Sequence, residues 1–306
     1  MNLLVVGTSG TGKTHYAGQL YGRLDKRESR LKLAAAPQNL SPFEDVLDRL
    51  SDGKTAAHTA SLVYHQIPMH IIDNETGESG VLTWSDYAGE QIKNIARSRS
   101  VDAEWVERLK KSDGWLLFIR LNTIEKKEDL LSRPPGPMLG LRESDADAAV
   151  AEAAIGSDDE ESKGSFPSID QHVELLQILL AVSGRGTLNK LKKPALLILL
   201  SCWDELLQNK EVAESERPIA ALERRMPLLA QFISSNWHEE VFAVYGLSSL
   251  GKSLDDEKAD EEYRTLGPES FGYVVEPDGA MNQDLTLPVS ALLKLAAANS
   301  SDAHLR

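Results

Sequence analysis

Residues 7–14 read Gly-Thr-Ser-Gly-Thr-Gly-Lys-Thr, which has the spacing Gly-x4-Gly-Lys-Thr of a loop that binds nucleotide phosphates. Glycine lets the backbone wrap closely, so that its amides point at phosphate oxygens. Lys13 is placed to bridge the outer phosphates, and the Thr14 hydroxyl is placed to ligate magnesium. An apolar strand precedes the loop and a helix follows it, and the helix dipole favours a bound anion. The predicted phosphate-binding residues are Gly7, Thr8, Ser9, Gly10, Thr11, Gly12, Lys13 and Thr14.

A second segment with suitable chemistry is Asp86-Tyr87-Ala88-Gly89, which follows an apolar run. Asp86 at the end of a strand reaches magnesium through water, while the Gly89 amide approaches a terminal phosphate. Without a phosphate loop upstream, the same four residues would be typical of a surface turn. The combination with residues 7–14 favours the functional interpretation.

Two further segments follow apolar strands. Leu199-Leu200-Ser201-Cys202-Trp203-Asp204 ends in an aspartate, which either accepts hydrogen bonds from a ligand or caps the following helix. The second segment is the glycine- and serine-containing loop Tyr245-Gly246-Leu247-Ser248-Ser249-Leu250-Gly251. Its pattern is not specific, because an ordinary loop would have a similar composition. In a parallel sheet such loops meet at the carboxyl edge of the strands, where open α/β sheets bind ligands.

The elements that must position these segments alternate between short apolar strands and helical patterns, which is typical of an α/β fold with a mainly parallel sheet. A glycine-rich connection between the second and third strands predicts one antiparallel hairpin. The predicted strands are Leu3–Val6, Leu62–Asp73, Gly80–Trp84, Trp115–Leu121, Leu196–Leu200 and Val241–Tyr245. The predicted helices are Thr14–Leu24, Gln91–Ala96, Ala103–Lys110, Ile169–Val182, Ile219–Phe232 and Val289–Ala298.

Amino-acid composition restricts the class of binding partner and the cellular compartment in which the protein works. The net charge of −14 over 306 residues argues against nucleic acid or an anionic membrane surface as the main partner. The single cysteine, Cys202, excludes an intramolecular disulfide and a cysteine-built zinc site. The longest apolar run, Ala195–Cys202, is far shorter than the roughly 20 residues that span a bilayer. Because residues 1–7 also lack the features of a signal peptide, we expect a cytoplasmic protein without a membrane span.

The phosphate loop, Asp86-x-x-Gly89 and the strand that ends at Asp204, in that order, resemble the Ras-like P-loop GTPases of the translation-factor (TRAFAC) class. The resemblance implies a three-layer α/β/α fold with a six-stranded, mostly parallel sheet and one antiparallel strand. It also implies that GTP or GDP binds together with Mg²⁺. In that family the aspartate at the position of Asp204 accepts hydrogen bonds from guanine, and the loop at Ser248 and Ser249 touches the guanine oxygen. The implied metal ligands are Thr14, Thr59 and Asp86.

The resemblance also suggests roles in hydrolysis. Thr59 matches the family's switch threonine best, with Thr55 as the alternative, and Lys13, Thr59, Gly89, Glu90 and Gln91 are the implied catalytic set. Glu90 stands where the family places a glutamine that orients water, and a carboxylate there repels the terminal phosphate, so we expect slow turnover. Ser201 and Cys202 replace the usual Asn or Thr and Lys, so the lysine stem that covers the base is missing.

Within this class the segments "SDYAGEQ", "LLSCWDEL", "GPESFGYVVEPDG" and "DLTLPVSALL" are similar to the bacterial double-GTPase domains of predicted conflict or defence gene clusters. The resemblance implies a molecular switch that acts on a protein partner, with a homodimer as one arrangement. Two alternatives stay open: an ATP-dependent P-loop ATPase or kinase, and a nucleotide-binding scaffold with little turnover. Arg97 and Arg99 are candidate charge stabilisers, although a solvated helical face explains them better.

The chain is predicted to be one domain over residues 1–306 that contains two acidic segments. An insertion at about residues 122–167 holds eight acids between Glu143 and Ser165 against one base, Lys163. A second acidic segment, Leu254–Glu262, lies in a C-terminal extension at about residues 253–306. Both are expected to be solvated loops, with docking of a basic partner as the alternative.

Overall fold

The computed structural model describes residues 1–26, 29–37, 41–56, 66–85, 92, 95, 98–124, 169–186 and 188–301. Within these residues, nine strands form one sheet in the order β2-β3-β4-β1-β5-β6-β7-β8-β9. The strands are β1 (Asn2–Gly7), β2 (Leu31–Leu33), β3 (Gln66–Asp73), β4 (Ser79–Ser85), β5 (Gly114–Arg120), β6 (Ala195–Ser201), β7 (Phe242–Ser248), β8 (Tyr273–Val275) and β9 (Met281–Asn282).

The central strands β4, β1, β5, β6 and β7 are parallel, and the pairs at both edges of the sheet are antiparallel. All six predicted strands are present, although β3 begins at Gln66 and residues 62–65 lie outside the described part. The predicted count of six strands with one antiparallel strand is too low. The missed strands β2, β8 and β9 have only three, three and two residues, which is too short for an alternating pattern to be recognised.

Helices cover both faces of the sheet. They are α1 (Lys13–Lys26), α2 (Ser41–Ser51), α3 (Ala103–Lys111), α4 (Ile169–Val182), α5 (Trp203–Gln208), α6 (Pro218–Arg225), α7 (Pro227–Asn236), α8 (Glu261–Leu266) and α9 (Leu287–Ser301). The single helix predicted over 219–232 is wrong. It breaks at Met226, whose φ of −135° and ψ of 60° are not helical, because Pro227 disfavours the helical conformation in the residue before it. The predicted helix over 91–96 lies mostly outside the described residues.

Alternate residues of the central strands enter two separate cores. Leu117 and Ile198 pack with α3, α4 and α7 on one face, whereas Phe118 and Leu199 pack with α1 and α9 on the other. Parallel strands that are buried on both faces are apolar throughout, which explains their continuous hydrophobic runs. The predicted three-layer α/β/α fold is therefore confirmed.

The C-terminal part of the chain belongs to this architecture. Strand β8 adds to the edge of the sheet beside β7, and α9 packs against the central strands β5 and β6. The Tyr16 hydroxyl of α1 donates to the carbonyl of Leu285, just before α9, at 2.7 Å. In the part of the chain that the structure describes, none of the helices has the length and apolar character needed to cross a membrane.

Asp73, the last residue of β3, is buried with its carboxylate fully hydrogen-bonded. It accepts from Arg30 Nε at 2.9 and 3.0 Å, from the backbone amides of Glu75 and Thr76 at 2.9 and 3.0 Å, and from the Ser290 hydroxyl of α9. Burial alone would raise the pKa of Asp73. The hydrogen bonds from Ser290, Thr76, Arg30 and Glu75 outweigh burial and hold this pKa well below its usual range.

Replacing Asp73 with asparagine should lower the free energy of unfolding by roughly 2–4 kcal/mol at pH 7, because Arg30 then loses its buried counter-charge. The folded-state pKa is depressed, so the carboxylate stabilises fully above its unfolded pKa of about 3.9 and this stabilisation is lost as the pH falls below that value. Urea unfolding at pH 7 and pH 3 measures both effects. The exposed Asp48→Asn is the matched control, and equal stability of wild type and Asp73→Asn at pH 7 would contradict the expectation.

Candidate functional site

A cavity of about 700 Å³ lies at the carboxyl edge of the central strands and collects loops that are far apart in sequence. One wall comes from the loop between β1 and α1, another from the loop after β6, and a third from the loop after β7. Its lining includes Ser9, Gly10, Thr11, Gly12, Lys13, Thr14, Thr55, Arg120, Cys202, Asp204, Glu205, Ser249 and Lys252. Three of the sequence segments with predicted chemistry therefore face the same space.

The phosphate loop is held in shape by its own hydrogen bonds. Gly10 and Gly12 have φ values of 75° and 74°, which glycine adopts without strain. The carbonyl of Thr8 accepts from Thr11 Oγ1 at 2.8 Å and from Lys13 Nζ at 2.5 Å. The loop thus presents its lysine and its backbone to the cavity in one fixed arrangement.

Not every predicted loop residue faces the cavity. Residues 9–14 line it, but Gly7 and Thr8 do not. Gly7 is the last residue of β1, and a Cβ added there would lie 2.9 Å from Phe118 Cβ of the neighbouring strand. Thr8 is buried and contributes its carbonyl to the loop. These two residues therefore shape the loop, and the six that follow are placed to contact a ligand.

Asp204 lies in the first turn of α5 and lines the cavity. The helix cap is Cys202, which has a left-handed backbone with φ of 55° and makes no side-chain capping bond. Helix capping by Asp204, the alternative interpretation of this residue, is therefore not observed. Within the described part of the chain, the Asp204 carboxylate accepts no hydrogen bond, so it is available to a ligand.

The two serines after β7 differ in position. Ser249 lines the cavity, whereas Ser248 is fully buried and its hydroxyl accepts from the Gly251 amide at 2.9 Å. Ser248 therefore shapes the loop and Ser249 faces the ligand space. The role predicted for this loop, contact with a base, stays a prediction.

Two arginines of the cavity wall have no counterpart among the predicted site residues. Arg120 ends β5 and pairs with Glu205, and Arg49 of α2 donates from Nε to the carbonyl of Thr55 at 2.7 Å. The one signal in the sequence for Arg120 is a charged residue at the end of a buried apolar strand. Arg99, by contrast, pairs with Glu174 and does not line the cavity, and its side chain is 77% exposed. Arg97 lies outside the described residues.

The switch region is described only in part. Thr55 lines the cavity, and its hydroxyl lies 2.9 Å from His15 Nε2, which also accepts from the Ala56 amide at 3.0 Å. The Thr55 alternative is therefore placed at the site. Thr59, Asp86, Gly89, Glu90 and Gln91 all lie outside the described residues, so their roles remain predictions.

The acidic segment 254–262 was expected to be a solvated loop; residues 255–258 are exposed as expected, whereas Glu261 and Glu262 begin helix α8. Leu254, Asp255 and Asp256 line the cavity. The Thr55 amide donates to the carbonyl of Asp255 at 2.9 Å, and Arg49 Nη2 donates to the carbonyl of Asp256 at 3.1 Å. Backbone hydrogen bonds, which composition does not reveal, hold this segment against residues 53–56. Most of the predicted insertion, residues 125–168, lies outside the described residues.

The oxygen atoms that line the cavity are suitable ligands for a magnesium ion that is also coordinated by nucleotide phosphates. The hydroxyls of Thr14 and Thr55 are hard oxygen ligands, the type that Mg²⁺ prefers. Among the described residues, no group of three His, Cys, Asp or Glu side chains forms a metal cage. Magnesium usually takes one or two protein oxygens plus phosphate oxygens and needs no such cage. Thr14 would hold the ion, with Asp86 and Thr59 as its further predicted ligands.

Comparison with known proteins gives a family and several structural similarities. A family model described as Double-GTPase 1 matches residues 4–292. The GTP-bound GTPase-like domain of S. cerevisiae Ski7 is 13% identical with a TM-score of 0.40, over 83% of this chain and 43% of that chain. This chain therefore spans less than half of the Ski7 chain. The GTP-bound SRb/SRX signal recognition particle receptor complex from Chaetomium thermophilum is 14% identical with a TM-score of 0.36, over 87% of this chain and 96% of that chain. No curated protein matches the chain.

Proposed function

This chain belongs to the Double-GTPase 1 family, and on that premise we propose that it is a GTP-dependent molecular switch that hydrolyses GTP slowly. Family membership assigns GTP binding to the chain. The observation that supports the proposal best is that the phosphate loop and the unpaired Asp204 carboxylate face one cavity of about 700 Å³. That volume is in the range of nucleotide-sized ligand sites.

The described residues supply positioning and charge neutralisation, which are the main needs of phosphoryl transfer. Backbone amides of residues 9–14 would bind phosphate oxygens, and Lys13 would neutralise charge that develops on the outer phosphates. Bound Mg²⁺ would supply further charge neutralisation between the phosphates. The hydroxyl of Thr55 or Thr59 would report the presence of the terminal phosphate, and its release after hydrolysis would change the surface offered to a partner.

Slow turnover follows from Glu90 in this proposal. A carboxylate at the position that orients water would repel the terminal phosphate, so we expect fewer than about one turnover per minute without a partner. The partner is a protein, with a second copy of this chain as the simplest case. Size-exclusion chromatography with GTP and with GDP tests for a nucleotide-dependent dimer.

We also propose that the switch works in the cytoplasm, in a bacterial conflict or defence system. The single cysteine supports a reducing compartment, and the support for the biological role is the family resemblance alone. A phage-protection assay in bacteria, with Lys13→Ala as the inactive control, tests this role. Equal protection by both forms would refute a role that depends on the nucleotide.

Calorimetric titration of the nucleotide-stripped protein with GTP and with ATP, both with magnesium, tests the proposed function. We expect GTP to bind at least about a hundredfold more tightly, because Asp204 is an acceptor that adenine cannot satisfy. Equal affinities would favour an ATP-using P-loop enzyme. Absence of binding to either nucleotide would leave a scaffold, and tight GTP binding without any hydrolysis would remove only the enzymatic part of the proposal.

A further inference from the structure

The base side of the cavity lacks the side chain that normally covers a guanine in this class. Cys202 stands at the lysine position, and its short side chain is partly buried. Burial raises the pKa of the Cys202 thiol to about 12, so it carries no charge at neutral pH. Neither the reach nor the charge of a lysine is available from this residue.

Arg120 of the neighbouring strand reaches the same place. In the parallel pairing of β5 with β6, Arg120 is the register partner of Ser201, one residue before Cys202. Its side chain therefore leaves the sheet directly beside residues 201–204, the base loop, which carries Asp204. Arg120 Nη1 donates to the carbonyl of Gly10 in the phosphate loop at 3.3 Å, so the guanidinium lies between the two loops.

The orientation of this guanidinium is fixed by hydrogen bonds from all three nitrogens. Besides the Nη1 contact with Gly10, Nε donates to Asn122 Oδ1 at 3.1 Å, and Nη2 donates to both carboxylate oxygens of Glu205 at 2.7 and 2.8 Å. Asn122 Nδ2 also donates to Glu205, which holds that carboxylate in place. Four of the five in-plane N–H donors of Arg120 are thus engaged with protein acceptors.

Besides its second Nη1 N–H, Arg120 offers the cavity its aliphatic stem and the flat face of the guanidinium. The side chain is 29% exposed and lines the cavity together with Asp204. Burial lowers the pKa of Arg120, but its hydrogen bond with Glu205 and the nearby acids outweigh burial and raise it, so the group stays charged. Charged guanidinium planes stack well on aromatic rings.

We propose that Arg120 is a base-binding residue of the nucleotide site. Its stem and guanidinium face cover the purine base that Asp204 recognises, in place of the missing lysine, and its bond to Gly10 joins the base loop to the phosphate loop. This inference rests on the proposed function. In this proposal Arg120 of β5 makes the contact with the face of the base that no side chain of the base loop makes.

Binding of GDP and GTP to Arg120→Ala, Arg120→Met and Arg120→Lys, with magnesium present, tests the proposal. For Arg120→Ala we expect the Kd to rise about tenfold, by the same factor for both nucleotides, because both carry the same base. Arg120→Met and Arg120→Lys each keep a stem over the base and should stay within about threefold of wild type. The matched control is Arg225→Ala, which removes an arginine that bonds the Leu121 carbonyl and Glu211 outside the cavity lining.

The outcomes separate this inference from the proposed function. Wild type that binds GTP no better than ATP refutes the proposed function before any substitution is made, and the Arg120 inference with it. Tight guanine binding with Arg120→Ala equal to wild type refutes only the Arg120 inference. Arg120→Met as weak as Arg120→Ala, or a larger loss for GTP than for GDP, would instead make Arg120 a phosphate contact. If Arg120→Ala does not fold, Arg120→Ser, which also removes the stem and the guanidinium face, takes its place in the same comparison.

Discussion

Replacing Lys13 with alanine is expected to weaken GTP binding at least about a hundredfold and to abolish measurable hydrolysis. Lys13 is the first residue of α1, and its ammonium group lies over the phosphate loop, 2.5 Å from the carbonyl of Thr8 and 3.4 Å from Thr11 Oγ1. The ammonium group is thus held at the phosphate loop, beside the space that we propose for the outer phosphates of a nucleotide. Hydrogen bonds between charged groups in a partly enclosed site are among the strongest that a side chain makes.

The measurement is the Kd for GTP by calorimetry and single-turnover hydrolysis of the same samples. Lys294→Ala is the matched control, because it removes an exposed lysine of α9 that does not line the cavity. Thermal unfolding without nucleotide should give similar stabilities for the wild type and Lys13→Ala. If Lys13→Ala bound GTP as tightly as Lys294→Ala, the loop would not be a phosphate site.

Replacing Asp204 with asparagine should change the base preference of the protein from guanine to xanthine. An aspartate accepts hydrogen bonds only, which matches the donors on the N1 and exocyclic amine edge of guanine. Asparagine offers a donor that matches the oxygen which xanthine carries in place of that amine. Because a site built on hydrogen bonds rejects an unmatched partner strongly, the ratio of GTP affinity to XTP affinity should fall about a thousandfold.

Titration of wild type and Asp204→Asn with GTP, XTP and ATP measures this change. Asp48→Asn, with an exposed carboxylate on α2 outside the cavity lining, makes the same chemical replacement away from the site. A variant with weaker GTP binding and no stronger XTP binding would show that Asp204 stabilises the loop and does not hydrogen-bond to the base. A variant unchanged towards all three nucleotides would exclude Asp204 from base recognition altogether.

These two residues illustrate how much of the site can be predicted from the sequence. The pattern in residues 7–14 is local, because the spacing of two glycines, a lysine and a threonine predicts both the loop and the start of the helix that follows it. Asp204 is less local, but the apolar strand before it predicts a position at the carboxyl edge of the sheet. The structure places both on one cavity, and the contact of either with a nucleotide remains a prediction.

Other parts of the site depend on contacts that no local pattern encodes. Arg120 looks in sequence like an ordinary charged residue after a buried strand, and its place at the cavity follows from its register with Ser201. The segment 254–262 has the composition of a solvated loop. Its backbone bonds to residues 53–56 nevertheless bring Asp255 and Asp256 into the cavity wall.

The sequence alone determined the fold class, the positions of the six long strands along the chain and the phosphate loop. Each of these depends on periodicity or spacing within some 15 residues, and burial on both faces of a parallel sheet imposes that periodicity directly. Only the tertiary structure decided the three short edge strands and the arginines of the cavity. Those features depend on pairing between segments up to about 200 residues apart, such as Arg49 with Asp256, and distant pairing leaves no repeating signal along the chain.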